Sequence, residues 1–375
     1  MKVLRTTVPF LVAVAVTTSG GLLLIDRFGV TWDFQQTVLY GERYLRFFAS
    51  FDPTYLDFSH PCIDYSRPHP IAEPDAKTGG GPFSAPQLVW PLPYTLAALG
   101  CRVLYLGLEW LDDPFAAHHV VNLVLVGLLA GALWQTLASS VGWRAGLAGV
   151  LLLLAYPAWL SHSFNNLRDI PVAVFFGLSL LALRPFARDG TRRYLLLFAV
   201  LQGCALASKT NAILIAPVAL VVTTVVGWIR GGARVAARRG GAVLVASLFS
   251  PLVALALWPW LWTDPLHGIR QHLEFIRSVR DLDPNVDLTP WVEVACSLPV
   301  VSLALGVAGL AAARFAWRHG SFDLYLLAVL WWLAPVVRIC LPRARNYGGV
   351  RHFIEFAPGW FVLAGLGFAW LVGAL

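Results

Sequence analysis

The sequence predicts an all-α, polytopic integral membrane protein, and three observations carry that prediction. Hydrophobic residues make up 58% of the 375 and charged residues only 13%, against about 25% charged in soluble domains. The mean hydropathy is +0.67. Apolar runs of bilayer-spanning or nearly spanning length recur along the whole chain, and arginine collects in short clusters between them.

The runs lie at 8–25, 88–108, 119–138, 145–160, 171–186, 194–208, 212–229, 242–262, 297–313, 323–341 and 353–372. A bilayer core of about 30 Å needs about 20 helical residues, so most of these runs reach across, giving about ten or eleven membrane helices. The first run, Val8 to Ile25, follows Lys2 and Arg5 and lacks a small-x-small cleavage site ahead of a soluble domain. It reads as a retained span and not as a signal peptide. The whole chain, 1–375, is expected to form one membrane domain.

Orientation follows from the arginines. Arg184, Arg188, Arg192 and Arg193 form one cluster, Arg230, Arg234, Arg238 and Arg239 a second, and Arg314 with Arg318 a third. Their loops, with the N-terminus, are expected on the cytoplasmic side. Segments 26–86, 161–170, 209–211, 263–296 and 342–352 then face outward. Three apolar runs between 86 and 161 do not fit the even number of crossings this requires, and run 145–160 is the first candidate for a short or re-entrant segment.

The two long outward segments carry polar structure of their own. In 34–48, Phe34, Val38, Leu45 and Phe48 recur at helical spacing beside Glu42, Arg43 and Arg46, the pattern of an amphipathic helix on the membrane surface. Between His60 and Pro93 the chain is rich in proline and glycine, including Gly79–Gly81, as in an irregular loop over a cavity. A second surface helix is expected over Ile269 to Arg280, before Asp281, Asp283 and Asp287.

The densest polar cluster between apolar runs is SHSFNNLRDI, from Ser161 to Ile170. Polar groups beside a bilayer are costly and call for a reason. Asp169 before Ile170 and Pro171 has the form of a helix N-cap; with Arg168, His162, Asn165 and Asn166 it also has the composition of a site. Asp33, just past the first span, likewise reads as the cap of a capping box with Gln36 or as a catalytic carboxylate. Lys209, Arg343, Arg345, Arg351 and His352 are outward cations that break the positive-inside pattern. Each alone is explained by snorkelling to headgroups, whereas together they suit an anionic ligand such as a lipid phosphate. Trp258, Trp260 and Trp262 suit an interfacial belt or the packing of a sugar or prenyl chain, and Asp264 with Pro265 ends that helix.

Several chemistries find no support. The nine histidines and five scattered cysteines lack metal-ligand or redox spacing, so no metal is expected. Gly79–Gly81 has neither the lysine nor the strand of a phosphate loop, and no serine sits in a nucleophile elbow. The net charge of +7 is distributed as topology signals, which excludes a nucleic-acid footprint.

The motifs WDF after the first span, HSFNNLRDIPVAVFF, ASKTNAILI, WPWLWTDP and YGGVRHFIEFAPGWFVLAG, in that order, carry a resemblance from Asp33 to Gly365. The chain resembles the dolichyl-phosphate-mannose protein mannosyltransferases of glycosyltransferase family 39 and the bacterial aminoarabinose transferases that modify lipid A, membrane enzymes of GT-C fold. The resemblance implies a polyprenyl-phosphate sugar as donor, no cofactor, and transfer at the outer face of a bacterial inner membrane to a lipid, glycan or protein acceptor. It implies catalytic roles for Asp33, as acceptor base, and Asp169. Lys209, Arg351, His352 and Arg168 become donor-phosphate ligands, and His162, Asn165, Asn166, Trp260, Asp264 and Tyr347 substrate contacts. Two features depart from the protein mannosyltransferases: Asp33 stands alone where they carry an Asp-Glu pair, and the chain ends at Leu375 without a luminal sensor domain. The competing reading is a transporter or lipid flippase, disfavoured by polar residues gathered at one face and the lack of a two-fold repeat.

Overall fold

The protein is described by a computed structural model covering residues 2–29, 34–56, 90–278, 285–344, 346 and 348–374. Asp33, Cys62, Gly79–Gly81, Arg280, Asp281, Asp283, Arg345 and Tyr347 lie outside the described residues. Every regular element among those described is helical.

In chain order these are α1 (Lys2–Leu22), α2 (Phe34–Ser50), α3 (Pro91–Cys101), α4 (Pro114–Val141), α5 (Trp143–Leu154), α6 (Pro157–Asn165), α7 (Asp169–Asp189) and α8 (Arg192–Leu206). Then come α9 (Ile215–Ala256), α10 (Trp260–Thr263), α11 (Pro265–Ser278), α12 (Thr289–Ser297), α13 (Val300–Ala311), α14 (Ala313–Arg318), α15 (Phe322–Cys340) and α16 (Phe356–Ala374). Five stretches are long and apolar enough to cross a membrane: α4, α7, α9 with its preceding turn, α15 and α16. Counting the bent pairs α5–α6 (66°) and α12–α13 (116°) as single spans brings the number to seven. The protein is an integral membrane protein.

The hydrophobic core centres on α7, whose apolar window is 89% buried by α4, α8, α9, α15 and α16. α9 is two antiparallel halves. The chain reverses at Gly231 and Gly232, the latter at φ 70°, which a side chain would strain. The halves then meet through Gly227 against Ala236 and Gly240 against Thr224. α13 packs on α16 through glycines: a Cβ at Gly309 would run into the Leu363 carbonyl and one at Gly367 into the Leu305 carbonyl.

Two expectations are corrected. The run that does not cross is 88–108, not 145–160. α3 is followed by a wide turn to Gly107; the Leu92 N–H donates to the Ala207 carbonyl at 3.3 Å, and Leu104 packs with Ile25, Ala116 and Phe164. Ala207 lies beside Lys209 and Phe164 is in the last turn of α6, so both ends of the 91–107 stretch sit at the same end of the bundle. The amphipathic face of α2 is also buried differently, against protein. Val38, Tyr44 and Phe47 are covered, Gly41 abuts the Tyr94 carbonyl of α3, and Glu42 on its polar side takes Arg102 at 2.6 Å.

The second surface helix is present as α11. Beyond it, the Thr289 hydroxyl and then the Thr289 N–H, which donates to Asp287 at 2.8 Å, hold the Asp287 carboxyl below the usual range. His118 and His119 are buried in the first turns of α4. Cys101, Cys204, Cys296 and Cys340 are free thiols.

Candidate functional site

The polar cluster at 161–170 is the joint between α6 and α7. α7 is capped by Asn166, not by Asp169: the Asn166 side-chain carbonyl accepts the N–H of Arg168 at 3.1 Å and of Asp169 at 2.8 Å. The Asn166 main-chain carbonyl in turn accepts Asn122 Nδ2 from α4 at 2.9 Å. With Asn166 taking these two N–H groups, the Asp169 carboxylate turns to other partners. Its Oδ2 accepts Asn166 Nδ2 at 2.8 Å and its Oδ1 accepts Lys209 Nζ at 2.6 Å.

Lys209 is placed by an extended residue, φ −170° and ψ 147°, between α8 and the short turn Thr210–Leu214. Asp169 is 3% exposed. A charge so deep in protein depends on its partner, and removing one member of such a pair costs about 3–5 kcal/mol.

The turn Gly349–Phe353 and Glu355, between α15 and α16, close the other side. The charges of Lys209, Asp169, Arg351 and Arg168 all act on the His352 ring, and those of Asp169 and Arg351 act on His162. The predicted residues Arg168, Asp169, His162, Asn166, Lys209, Arg351 and His352 are therefore brought to one end of the bundle. Asn165 ends α6 beside them.

Four residues that sequence reasoning did not single out complete the framework: Asn122, Asn211, Arg338 and Glu355. Asn211 Nδ2 donates to the His352 carbonyl at 2.9 Å and to Glu355 Oε1 at 2.7 Å. Arg338 Nη2 donates to the same His352 carbonyl at 3.1 Å, and Trp331 Nε1 to the Glu355 carbonyl at 2.7 Å. Glu355 is 1% exposed and its Oε2 has no hydrogen-bond partner. An acidic residue opening an apolar run was the available signal.

Two titrations are shifted by this packing. Burial, reinforced by Lys209, pushes His352 down to about 3. Burial thus disfavours charge on the His352 imidazole, and the standing cations around it are Lys209, Arg168 and Arg351. Burial raises the Glu355 carboxyl, with Lys209 and Arg338 opposing. A raised acid contributes stability that is present below the unfolded value, about 4.3, and lost as pH rises through the folded one. Glu355→Gln is expected to match the parent in acid and to become progressively more heat-stable than it toward pH 8. A thermal-unfolding series across pH checks this, and a constant difference at all pH values would refute it.

The remaining predicted contacts differ. Trp258 is buried with Tyr44, Tyr94 and Leu167, and Trp260 packs partly buried on the same cluster, so these rings serve the α2–α3 cap of the bundle. Trp262 is exposed, as a membrane-interface ring would be. Asp264 is exposed and accepts the His267 N–H at 3.1 Å, which caps α11 and leaves it outside the charged cluster. Among the described residues no group of three His, Cys, Asp or Glu is arranged to hold a metal.

Residues 103–258, from just beyond α3 to Trp258, match the family model of the dolichyl-phosphate-mannose-protein mannosyltransferases. That segment contains Asp169 and Lys209. Over 99% of its length the chain superposes on 63% of the crystal structure of ArnT from Cupriavidus metallidurans bound to undecaprenyl phosphate, with a TM-score of 0.62 at 19% identity. The fold is GT-C. The same GT-C architecture matches the archaeal oligosaccharyltransferase AglB from Archaeoglobus fulgidus, in complex with an inhibitory peptide and a dolichol-phosphate, at TM-score 0.55 and 13% identity, covering 100% of this chain and 51% of that one. The chain thus spans less than two thirds of either protein's length. No curated protein matches the chain in sequence.

Proposed function

We propose that this GT-C protein is a membrane glycosyltransferase that moves a sugar from a polyprenyl-phosphate donor to an acceptor at the outer face of the membrane. The observation that carries the reading is the surplus of positive charge at one end of an otherwise apolar bundle. Lys209, Arg168, Arg351 and Arg338 gather there around two carboxylates, Asp169 and Glu355, with the His352 ring buried among them. A lipid with one phosphate and a long apolar tail matches that distribution of charge. The lipid phosphates bound by ArnT and AglB support the same class of ligand.

The chemistry follows from the leaving group. The acceptor hydroxyl attacks the anomeric carbon, its proton passes to a base, and the bond to the phosphate oxygen breaks with negative charge growing on the phosphate. Cations fixed in a dry site stabilise that charge without having to reorganise. Both oxygens of Asp169 are engaged, so its part is to hold Lys209 toward the leaving phosphate. Asp33, which opens the chain segment beyond α1, is the proposed base. A single displacement of this kind inverts the anomeric centre and needs no metal. On this reading the arginine-rich loops are cytoplasmic and the site faces outward, as expected for a bacterial inner-membrane enzyme.

The test uses the purified full chain with a panel of undecaprenyl- and dolichyl-phosphate sugars, following release of the polyprenyl phosphate. Arg351→Ala is expected to weaken donor use by about 10–100-fold, the share of one charge-assisted contact, with unchanged thermal stability. Failure of every donor with the parent protein, or full activity of Asp33→Asn, would overturn the proposal.

A further inference from the structure

The opposite, arginine-rich end of the bundle holds a second buried charge group that the proposed reaction does not use. There Asp323, in the first turn of α15, pairs through Oδ2 with Arg184 Nε of α7 at 2.5 Å, and Arg188 Nε lies 3.9 Å from the same oxygen. Asp323 is 4% exposed, yet its Oδ1 has no hydrogen-bond partner, and neither has Arg184 Nη2. Buried polar atoms are seldom left so.

Beside them is a cavity of about 150 Å³. Ile229 of α9 and Trp317 and Phe322 of the α14–α15 corner form its apolar walls, while Asp323 and Arg230 supply its polar ones. An apolar cavity of about 150 Å³ holds benzene, so ligands of about six heavy atoms fit. That is too small for an acyl chain and right for the terminal glycerol of a lipid headgroup.

Charge decides the ligand's sign. Arg184, Arg188 and Arg230 surround the one carboxylate, leaving the pocket net positive. An ammonium would meet the arginines; an anion is attracted. The orphan Oδ1, an acceptor, asks in addition for a hydroxyl donor. Trp317 and the neighbouring Trp228 are exposed at the same level, 54% and 61%, as rings at a membrane interface are. A ligand reaching this rim arrives from the lipid.

We propose that this cavity binds the headgroup of an anionic phospholipid bearing a free hydroxyl, of the phosphoglycerol type, with its phosphate at Arg230 and its hydroxyl donating to Asp323 Oδ1. The site is separate from the proposed sugar-transfer site, and its test is independent of that reading. Lipid retained by the full chain is measured by native mass spectrometry after equal exposure to phosphatidylglycerol, phosphatidic acid, phosphatidylethanolamine and phosphatidylcholine. Phosphatidylglycerol is expected to be retained about fivefold better than phosphatidylcholine, one arginine's share of attraction to an anionic lipid. Phosphatidic acid, without the hydroxyl-bearing headgroup, should fall between them.

Arg230→Ala, which alters an exposed side chain outside the proposed active site, should remove the preference and leave thermal stability in phosphatidylcholine unchanged. Equal retention of phosphatidylglycerol and phosphatidylcholine, a preference for phosphatidylethanolamine, or a preference that survives Arg230→Ala would overturn the proposal. So would soluble glycerol phosphate that competes as well as the lipid, which would make a free metabolite the ligand.

Discussion

Lys209→Met is expected to abolish measurable sugar transfer, by about 10²–10³-fold or more, because it removes one of the cations proposed to stabilise the leaving phosphate. It also leaves Asp169 buried without its partner at 2.6 Å, a loss of about 3–5 kcal/mol in stability. The two effects separate in a double variant. Asp169→Asn with Lys209→Met replaces both charges by neutral groups of similar shape and is expected to recover most of the stability and none of the activity. Thermal unfolding and polyprenyl-phosphate release, measured on the same preparations, check both halves. Recovery of transfer in the double variant would show that Lys209 serves only the fold.

Gly309→Ala is the largest expected effect on folding from a single methyl group. α13 and α16 approach so closely that a Cβ at Gly309 collides with the Leu363 carbonyl, a backbone atom that moves only if the helix moves. Overpacking of this kind costs about 1–3 kcal/mol. Gly241→Ala in the second half of α9 has open space around the new methyl group. There the helix preference of alanine over glycine should add about 0.5–1 kcal/mol. The same substitution is thus expected to change sign between the two helices. Detergent melting curves of the pair test this, and equal shifts would remove the close-packing account of the α13–α16 seam.

How much of the site was legible depended on whether a residue announces itself locally. Lys209, Arg351 and Asp169 stood out because charge at the end of an apolar run is costly wherever the run goes. Their placement at one end followed from counting spans. Glu355 and Asn211 did not stand out, because the bond between them joins residues 144 apart. Asn166 was singled out as a substrate contact, and its capping of α7 was not foreseen: capping is a local event, but a carboxylate at 169 satisfied the same pattern equally well on paper.

The fold divides in the same way. Hydropathy by itself determined that the chain is a helical membrane protein and where its five long apolar stretches lie, since the bilayer imposes on each helix separately a length and an apolar surface. It also determined which end of the bundle carries arginine and which carries the mixed polar cluster. Only the tertiary structure decided that 91–107 stays at one end, because an 11-residue helix buried against α2 and α4 has the same composition as a short span. Only the tertiary structure decided, too, that Asp169 faces Lys209 and that His352 sits among the same charges. Pairing and burial are properties of neighbours brought in from distant segments, and hydropathy along the chain carries no record of them.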